Sequence, residues 1–388
     1  MKIGFFTDAY FPQVNGVATS VDAWAKGLEE LGHKVYIVAP NYPGYKDRDG
    51  IIRLTSLKVL RQPEIRLAVY LPAKSILKVS KVNFDIIHAF SGGTVSTLGL
   101  IVARLKKVPF VFTYYTRWNQ YTHYFFKGKV IRPKMVEGAS RIFCNRCDCV
   151  IVPMPKIKDE LVAFGVKKPI VVIPSGVDLE KFGKQKKGFL RKKTGIQKGK
   201  ILLYVGRLGN EKSVDFLIKA FQKVHDKDPL ANMVLVGDGP EKENLKQLTK
   251  VLNIERNVYF TGLIDQKDIS KVYTDASVFV FASQTETQGI VILEALASGL
   301  PVVAINDAVY DGIIKNKMNG ILVSNDTDQF ANECLSLLNT PSYRRRLSEH
   351  AQKSGQKFSV AKTAQALENL YKKLIPQHSK ENFYGRRI

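Results

Sequence analysis

Nowhere in its 388 residues does this chain carry an apolar run long enough to span a bilayer. The opening stretch, Met1-Lys2-Ile3-Gly4-Phe5-Phe6, runs at once into Thr7 and Asp8, without the apolar length or cleavage region of a signal peptide. These absences give the expectation of a cytoplasmic protein. Acidic residues are scarce: 35 stand against 59 lysines and arginines, for a net charge of +24. Such a surplus implies a polyanionic partner, whether nucleic acid, an anionic membrane or phosphorylated ligands. Cysteine is scarcer still, at four. Cys144, Cys147 and Cys149 stand close together, but Cys334 is far off in an apparent helix, so the four ligands of a closed zinc site are not gathered. The cluster reads as a helix end running into a strand at Cys149–Pro153, its thiols being small core residues. The glycine-rich fingerprint G-x-G-x-x-G and the phosphate-loop lysine motif are also missing, which argues against an NAD enzyme or a P-loop NTPase.

What is present is ordinary globular material, 45% hydrophobic and 24% charged, in a chain long enough for two domains. Strands are expected at Ile3–Thr7, Lys34–Ala39, Phe84–Phe90, Pro109–Tyr114, Cys149–Pro153 and Ile170–Ile173. Between the first two, Val17, Val21, Trp24, Ala25 and Leu28 recur at helical spacing, and Gly32 ends that helix. A helix is also expected near Thr94–Leu105. After the turn residues Pro174-Ser175-Gly176-Val177-Asp178 and a basic stretch, Lys184–Lys200, a second series begins. Its strands are expected at Ile201–Val205, Met233–Val236, Val258–Phe260, Val278–Ala282 and Pro301–Ile305, with a closing helix from Val360. The alternation predicts an α/β protein of two Rossmann-like, doubly wound domains facing a deep cleft. The expected boundaries are 1–175, rejoined by residues 358–388, and 176–357.

The most informative segment is Ser283-Gln284-Thr285-Glu286-Thr287-Gln288-Gly289-Ile290-Val291-Ile292-Leu293-Glu294-Ala295-Leu296-Ala297-Ser298-Gly299. A strand ends at Ala282 and a helix starts close to Gly289, so the first-turn amides and the positive end of the dipole offer a seat for a diphosphate. Glu294 lies roughly 7 Å along that helix at 1.5 Å per residue, about one ribose from the seat. Glu286 lies before the helix, on the side where a transferable sugar would sit. Two carboxylates straddling a diphosphate suit a nucleotide sugar. The plainer alternative makes Glu286 a solvated loop charge and Glu294 a surface helical residue.

The run resembles the Glu-x7-Glu signature of the family 4 retaining glycosyltransferases of the GT-B fold. The resemblance implies Glu286, Arg207 and Lys212 as catalytic residues, the two cations stabilising charge on the departing diphosphate. It implies Gly16, Gly206, Leu263, Thr287, Gln288, Gly289, Ile290 and Glu294 as donor-binding. Gly16 belongs to the loop Phe11-Pro12-Gln13-Val14-Asn15-Gly16-Val17, and Leu263 to Thr261-Gly262-Leu263, similar to the family's base-binding loop. Asp8, at the end of the first strand, is a further candidate facing the cleft. No cofactor is implied, the nucleotide sugar being a co-substrate. The GT-B fold uses no obligatory metal, and no Asp-x-Asp pair is assigned to holding one.

Thr113-Tyr114-Tyr115-Thr116-Arg117-Trp118-Asn119-Gln120-Tyr121-Thr122-His123-Tyr124, with Phe143-Cys144-Asn145-Arg146-Cys147-Asp148, resembles the bacterial diacylglycerol glucosyltransferases. Tyr115 stands where those enzymes usually carry a histidine, and a phenol of pKa near 10 does not titrate as imidazole does. His123 is a second candidate cleft residue. The implied activity is transfer of a hexose, glucose from UDP-glucose, to the hydroxyl of 1,2-diacylglycerol. GDP-mannose as donor or a non-lipid acceptor are alternatives; from other classes, a nucleotide-sugar epimerase or a basic nucleic-acid-binding protein. The last lacks a recognisable binding module, so no nucleic-acid partner is expected. Arg61, Arg66, Lys74, Lys78 and Lys81 surround Leu67, Ala68, Val69, Leu71, Ile76, Leu77 and Val79. Phe125-Phe126-Lys127-Gly128-Lys129, with Arg132 and Lys134, repeats the theme. Such mixtures fit peripheral attachment to the anionic inner face of the cell membrane, or else a first-domain helix with an apolar core face.

Overall fold

The computed structural model describes residues 1–59, 62–69, 74–115, 117, 133–183 and 185–384. The chain divides into two compact units, Met1–Gly176 with Val360 onward, and Val177–Ser359.

In the first unit seven parallel strands lie in the order β3-β2-β1-β6-β7-β8-β9. They are β1 (Lys2–Thr7), β2 (Lys34–Pro40), β3 (Ile51–Leu54), β6 (Ile86–Phe90), β7 (Phe110–Thr113), β8 (Cys149–Val152) and β9 (Ile170–Val172). A separate antiparallel hairpin joins β4 (Ser56–Val59) to β5 (Gln62–Ala68). The central strands are continuous apolar runs buried on both faces, as a sheet covered by crossover helices requires. The first helix, Gly16–Glu30, starts where the Asn15 side chain accepts from the Ala18 amide at 2.9 Å. It buries Val21, Trp24, Ala25 and Leu28.

The closing helix, Val360–Tyr384, returns to this unit and completes its core with Ala364, Leu367 and Tyr371. Two buried polar contacts fix it there. Trp24 Nε1 donates to Thr363 Oγ1 at 3.2 Å, and the Tyr371 hydroxyl lies 2.6 Å from His88 Nδ1. His88 meets Thr113 Oγ1 through Nε2 at 2.6 Å, and burial pushes its pKa down to about 3, so the imidazole is neutral.

The second unit holds six parallel strands in the order β12-β11-β10-β13-β14-β15. These are β10 (Ile201–Val205), β11 (Asn232–Val236), β12 (Val258–Gly262), β13 (Val278–Phe281), β14 (Val302–Ile305) and β15 (Gly320–Val323). This is the doubly wound dinucleotide-type order, with its reversal between β10 and β13.

The sequence expectation is corrected in one region. The basic and apolar residues around 61–81 that the structure describes do not form a single helix. Residues 62–68 are a hairpin strand and Lys74–Ser80 a short helix. Arg66 turns back on its own hairpin, donating from Nε to Ser56 Oγ and from Nη2 to Ser56 O, both at 2.8 Å. Ala68 and Val79 are core, while Leu57, Leu67 and Leu77 are exposed. Arg61, Leu71 and residues 125–132 lie outside the described residues, as does His123. The cysteines are free and buried, as expected.

Candidate functional site

In the second unit β10 pairs with β11 on one side and β13 on the other. The crossovers leave this point in opposite directions, so the loops after β10 and β13 open a crevice at the carboxyl ends of the strands. The first loop is Gly206–Lys212 and the second Ala282–Gly289. Tyr204, wholly buried in β10, donates from its hydroxyl to the Arg207 carbonyl at 2.8 Å. Asn210–Lys212 is a single 3-10 turn, and the Glu211 carbonyl accepts from Ser283 Oγ and Thr285 Oγ1, both at 3.2 Å. Tyr310 donates to the Ser283 carbonyl at 2.6 Å. These bonds hold the loops side by side, and their effect is to set the Lys212 ammonium on Glu286 Oε1. The two side chains are 16% and 15% exposed, so solvent screens the pair less than one at the surface.

Gly289 then turns the chain into helix Ile290–Ala297 through a left-handed backbone, φ 75° and ψ 68°. An L side chain pays about 1 kcal/mol or more for that conformation. No side chain caps the helix, and the Ile292 amide turns back to the Gly289 carbonyl at 2.9 Å, so the amides of Ile290 and Val291 are the ones such a helix start can offer an anion. Ile290 and Thr287 are half-buried beside it and Gln288 is buried. Glu294 is also buried, with Oε2 accepting from the Tyr273 hydroxyl at 2.6 Å. Burial pushes its carboxyl up to about 7, against the opposing effects of the Tyr273 hydrogen bond and the Lys181 charge.

A third loop buttresses the first. Leu208 N donates to Asp238 O and Gly237 N to Gly262 O, both at 3.0 Å. Gly237 has φ 140°, and a Cβ there would lie 1.9 Å from the Gly206 carbonyl oxygen, so only glycine permits the crossing. Arg207 is half-buried on the first loop with Gly206. Leu263, following the edge strand β12, is 73% exposed. The two-loop crevice thus gathers Gly206, Arg207, Lys212, Glu286, Thr287, Gln288, Gly289, Ile290 and Glu294, with Leu263 on the next loop but one.

The remaining candidates sit in the first unit. The Asp8 carboxylate is engaged at the start of helix Thr94–Lys106, accepting from the amides of Gly93 at 2.9 Å and Val95 at 2.8 Å and from Ser96 Oγ at 3.0 Å. Burial raises its pKa, and these donors oppose the rise. Gly16 is the first residue of its helix, and its carbonyl accepts from Ser20 Oγ at 2.8 Å. Ser20 Oγ also lies 3.0 Å from Ser175 Oγ, which donates to the Tyr115 hydroxyl at 3.1 Å. A hydrogen-bonded chain therefore links Tyr115 to the glycine loop. Its ring stands against Trp24 and Phe90, and burial pushes the phenol well above its usual range.

Residues 14–181 match the family described as Glycosyltransferase Family 4, and residues 186–354 match Glycosyl transferases group 1. Over 359 residues the chain is 36% identical to the alpha-monoglucosyldiacylglycerol synthase of Streptococcus pneumoniae, an alignment covering 90% of this chain and 80% of that protein. The chain belongs to glycosyltransferase family 4. This glycosyltransferase is also 29% identical over 396 residues to the alpha-monoglucosyldiacylglycerol synthase of Acholeplasma laidlawii, covering 98% of this chain and 99% of that one. Among solved structures, HepE of Anabaena in complex with UDP matches with a TM-score of 0.76 at 20% identity, over 96% of this chain and 100% of that chain. That likeness is one of fold, GT-B, with two Rossmann-like domains.

Reasoning from sequence did not single out four residues of the glycosyltransferase crevice. Tyr204, Glu211, Tyr273 and Tyr310 hold the loops and Glu294 in place. Tyr204 lies in the expected strand Ile201–Val205 and Glu211 directly precedes Lys212, whereas Tyr273 and Tyr310 carried no signal.

Proposed function

We propose that this glycosyltransferase moves glucose from UDP-glucose to the free hydroxyl of 1,2-diacylglycerol, with retention at the anomeric carbon, at an anionic membrane surface. The observation that carries the reading is the Lys212–Glu286 pair on the rim of a helix start that no side chain caps. A diphosphate seated on those amides draws Lys212 and Arg207 to itself and frees the Glu286 carboxylate for hydroxyls of the sugar. Glu294, farther along the helix, accepts from the ribose hydroxyls. The bond from the anomeric carbon to the phosphate oxygen breaks, and its electron pair leaves with UDP. The acceptor oxygen bonds to that carbon on the same face, and its proton passes to the departing phosphate. Arg207, Lys212 and the helix amides take up the charge, and no metal or cofactor is assigned to the step.

The lipid acceptor is supported by the names of the two synthases and by the charge of +24. Exposed Leu57, Val59 and Leu67 beside Lys58 on the hairpin suit a membrane-facing surface. Among the described residues no helix is long and apolar enough to cross a membrane.

The test uses radiolabelled UDP-glucose, UDP-galactose and GDP-mannose, each with liposomes containing diacylglycerol. Label is expected in the lipid phase from UDP-glucose, with an α-linked product by NMR. Label from GDP-mannose alone, a β-linked product, or transfer only to soluble acceptors would overturn the reading.

A further inference from the structure

A cavity of 770 Å³ opens in the second unit at the amino ends of β13 and β14, where Ser277 precedes one strand and Pro301 the other. The donor crevice lies at the carboxyl ends of the same parallel sheet. Four-residue strands rising about 3.3 Å per residue therefore put roughly 13 Å of sheet between the two.

Four cations line this cavity, Lys187, Arg191, Arg344 and Arg345, against one carboxylate, Asp275. Asp275 is engaged by the amides of Gly188 at 2.6 Å and Leu190 at 2.8 Å. Arg344 is anchored through Nη1 to the carbonyls of Leu337 and Leu338, at 2.9 and 3.1 Å, and Arg191 through Nη2 to Gly199 O at 2.7 Å. A guanidinium has five N–H groups, so each keeps donors for a ligand after those bonds. Among the described residues neither Lys187 nor Arg345 pairs with a carboxylate. Helix Pro341–Gly355 starts on the same wall, with proline in its first turn and no side-chain cap. Anchored guanidinium forks, unpaired cations and an uncapped helix start converge on one recess. All of them favour the same chemistry, a phosphate with its several acceptor oxygens. The volume suits a small phosphorylated molecule or a lipid headgroup better than a bare ion.

We propose that this cavity is a second anion site, separate from the donor seat, that binds a phosphate-bearing ligand. Its test compares the full chain with the double variant Lys187→Gln, Arg345→Gln, using glycerol 3-phosphate in titration calorimetry and phosphatidylglycerol against phosphatidylcholine vesicles in flotation. A control pair, Lys246→Gln with Lys250→Gln, matches the lost charge, and melting temperatures confirm that both variants are folded. Saturable glycerol 3-phosphate binding that weakens at least tenfold in the double variant, but not in the control pair or in Arg207→Gln, supports a soluble ligand. No binding of glycerol 3-phosphate, with phosphatidylglycerol flotation lost only in the double variant, supports a headgroup. The site is overturned if both probes bind the double variant as well as the parent, or if neither binds the parent.

Discussion

Glu286 and Glu294 belong to one motif but meet opposite surroundings, the first beside an ammonium and the second buried under a tyrosine hydroxyl. The Glu294 carboxyl titrates near 4.5 in an unfolded chain and near 7 in the fold. As pH rises from 4.5 through 7 the unfolded form ionises first, so this residue withdraws stability over that interval, on the order of 3 kcal/mol in all. Glu294→Gln should flatten the decline, read as the slope of denaturation free energy between about pH 5 and 7. An undiminished slope would place the titration elsewhere. On the proposed reading the same variant raises the donor KM about tenfold, some 1.4 kcal/mol, and changes kcat little. His88 acts in the other direction. Its imidazole titrates at 6.5 unfolded and near 3 folded, so stability is lost as pH falls below 6.5. Replacing it by Asn should shallow the acid limb of the same curve. The sequence pointed to both glutamates through their spacing and the glycine between them. It held no trace of Lys212 on Glu286 or of Tyr273 on Glu294, because partners 74 and 21 residues away are delivered only by tertiary packing.

Among the elements, helix Ile290–Ala297 depends on how it begins. Gly289→Ala puts a Cβ 3.3 Å from Ile292 Cδ1 in a backbone at φ 75°. The expected cost is about 1–2 kcal/mol, or roughly 3–6 °C in the melting temperature of a unit this size. Donor affinity should fall further than stability, since the amides at the seat shift. A melting scan paired with a donor titration separates the two, and equal losses would argue against the seat. The buried strands were legible because β10, β13 and β14 are uninterrupted apolar runs that a two-faced parallel sheet demands. Two of the edges were not: Ile51–Leu54 is interrupted by Arg53 and largely half-buried, and Gly320–Val323 opens on a glycine. The hairpin strand Gln62–Ala68 mixes Pro63, Glu64 and Arg66 with leucine, a pattern that also fits a helix face. The antiparallel pairing of Ser56 with Ala68, Leu57 with Leu67 and Lys58 with Arg66 decides between them.

At the level of the whole molecule, +24 charges should make vesicle attachment strongly salt-dependent. Flotation with phosphatidylglycerol vesicles is expected to fall at least tenfold between about 0.05 and 0.5 M NaCl, while phosphatidylcholine vesicles bind weakly throughout. Salt-insensitive binding would instead mean apolar insertion. A two-domain α/β plan could be read from alternation alone, and residues 358–388 were expected to rejoin the first domain, although an amphipathic face does not itself name its partner. The structure assigns it to the first unit through Ala364, Leu367 and Tyr371. Ending the chain at Ser359 should therefore leave Trp24 Nε1 and His88 Nδ1 without their partners and the first unit open to protease, with the second unit still resistant; limited proteolysis checks this. That arrangement also orders events at the ribosome. Residues 1–176 must wait for the helix that begins at Val360, whereas the continuous segment Val177–Ser359 is complete before that helix is made. The second unit is born complete, and the first is the last to close.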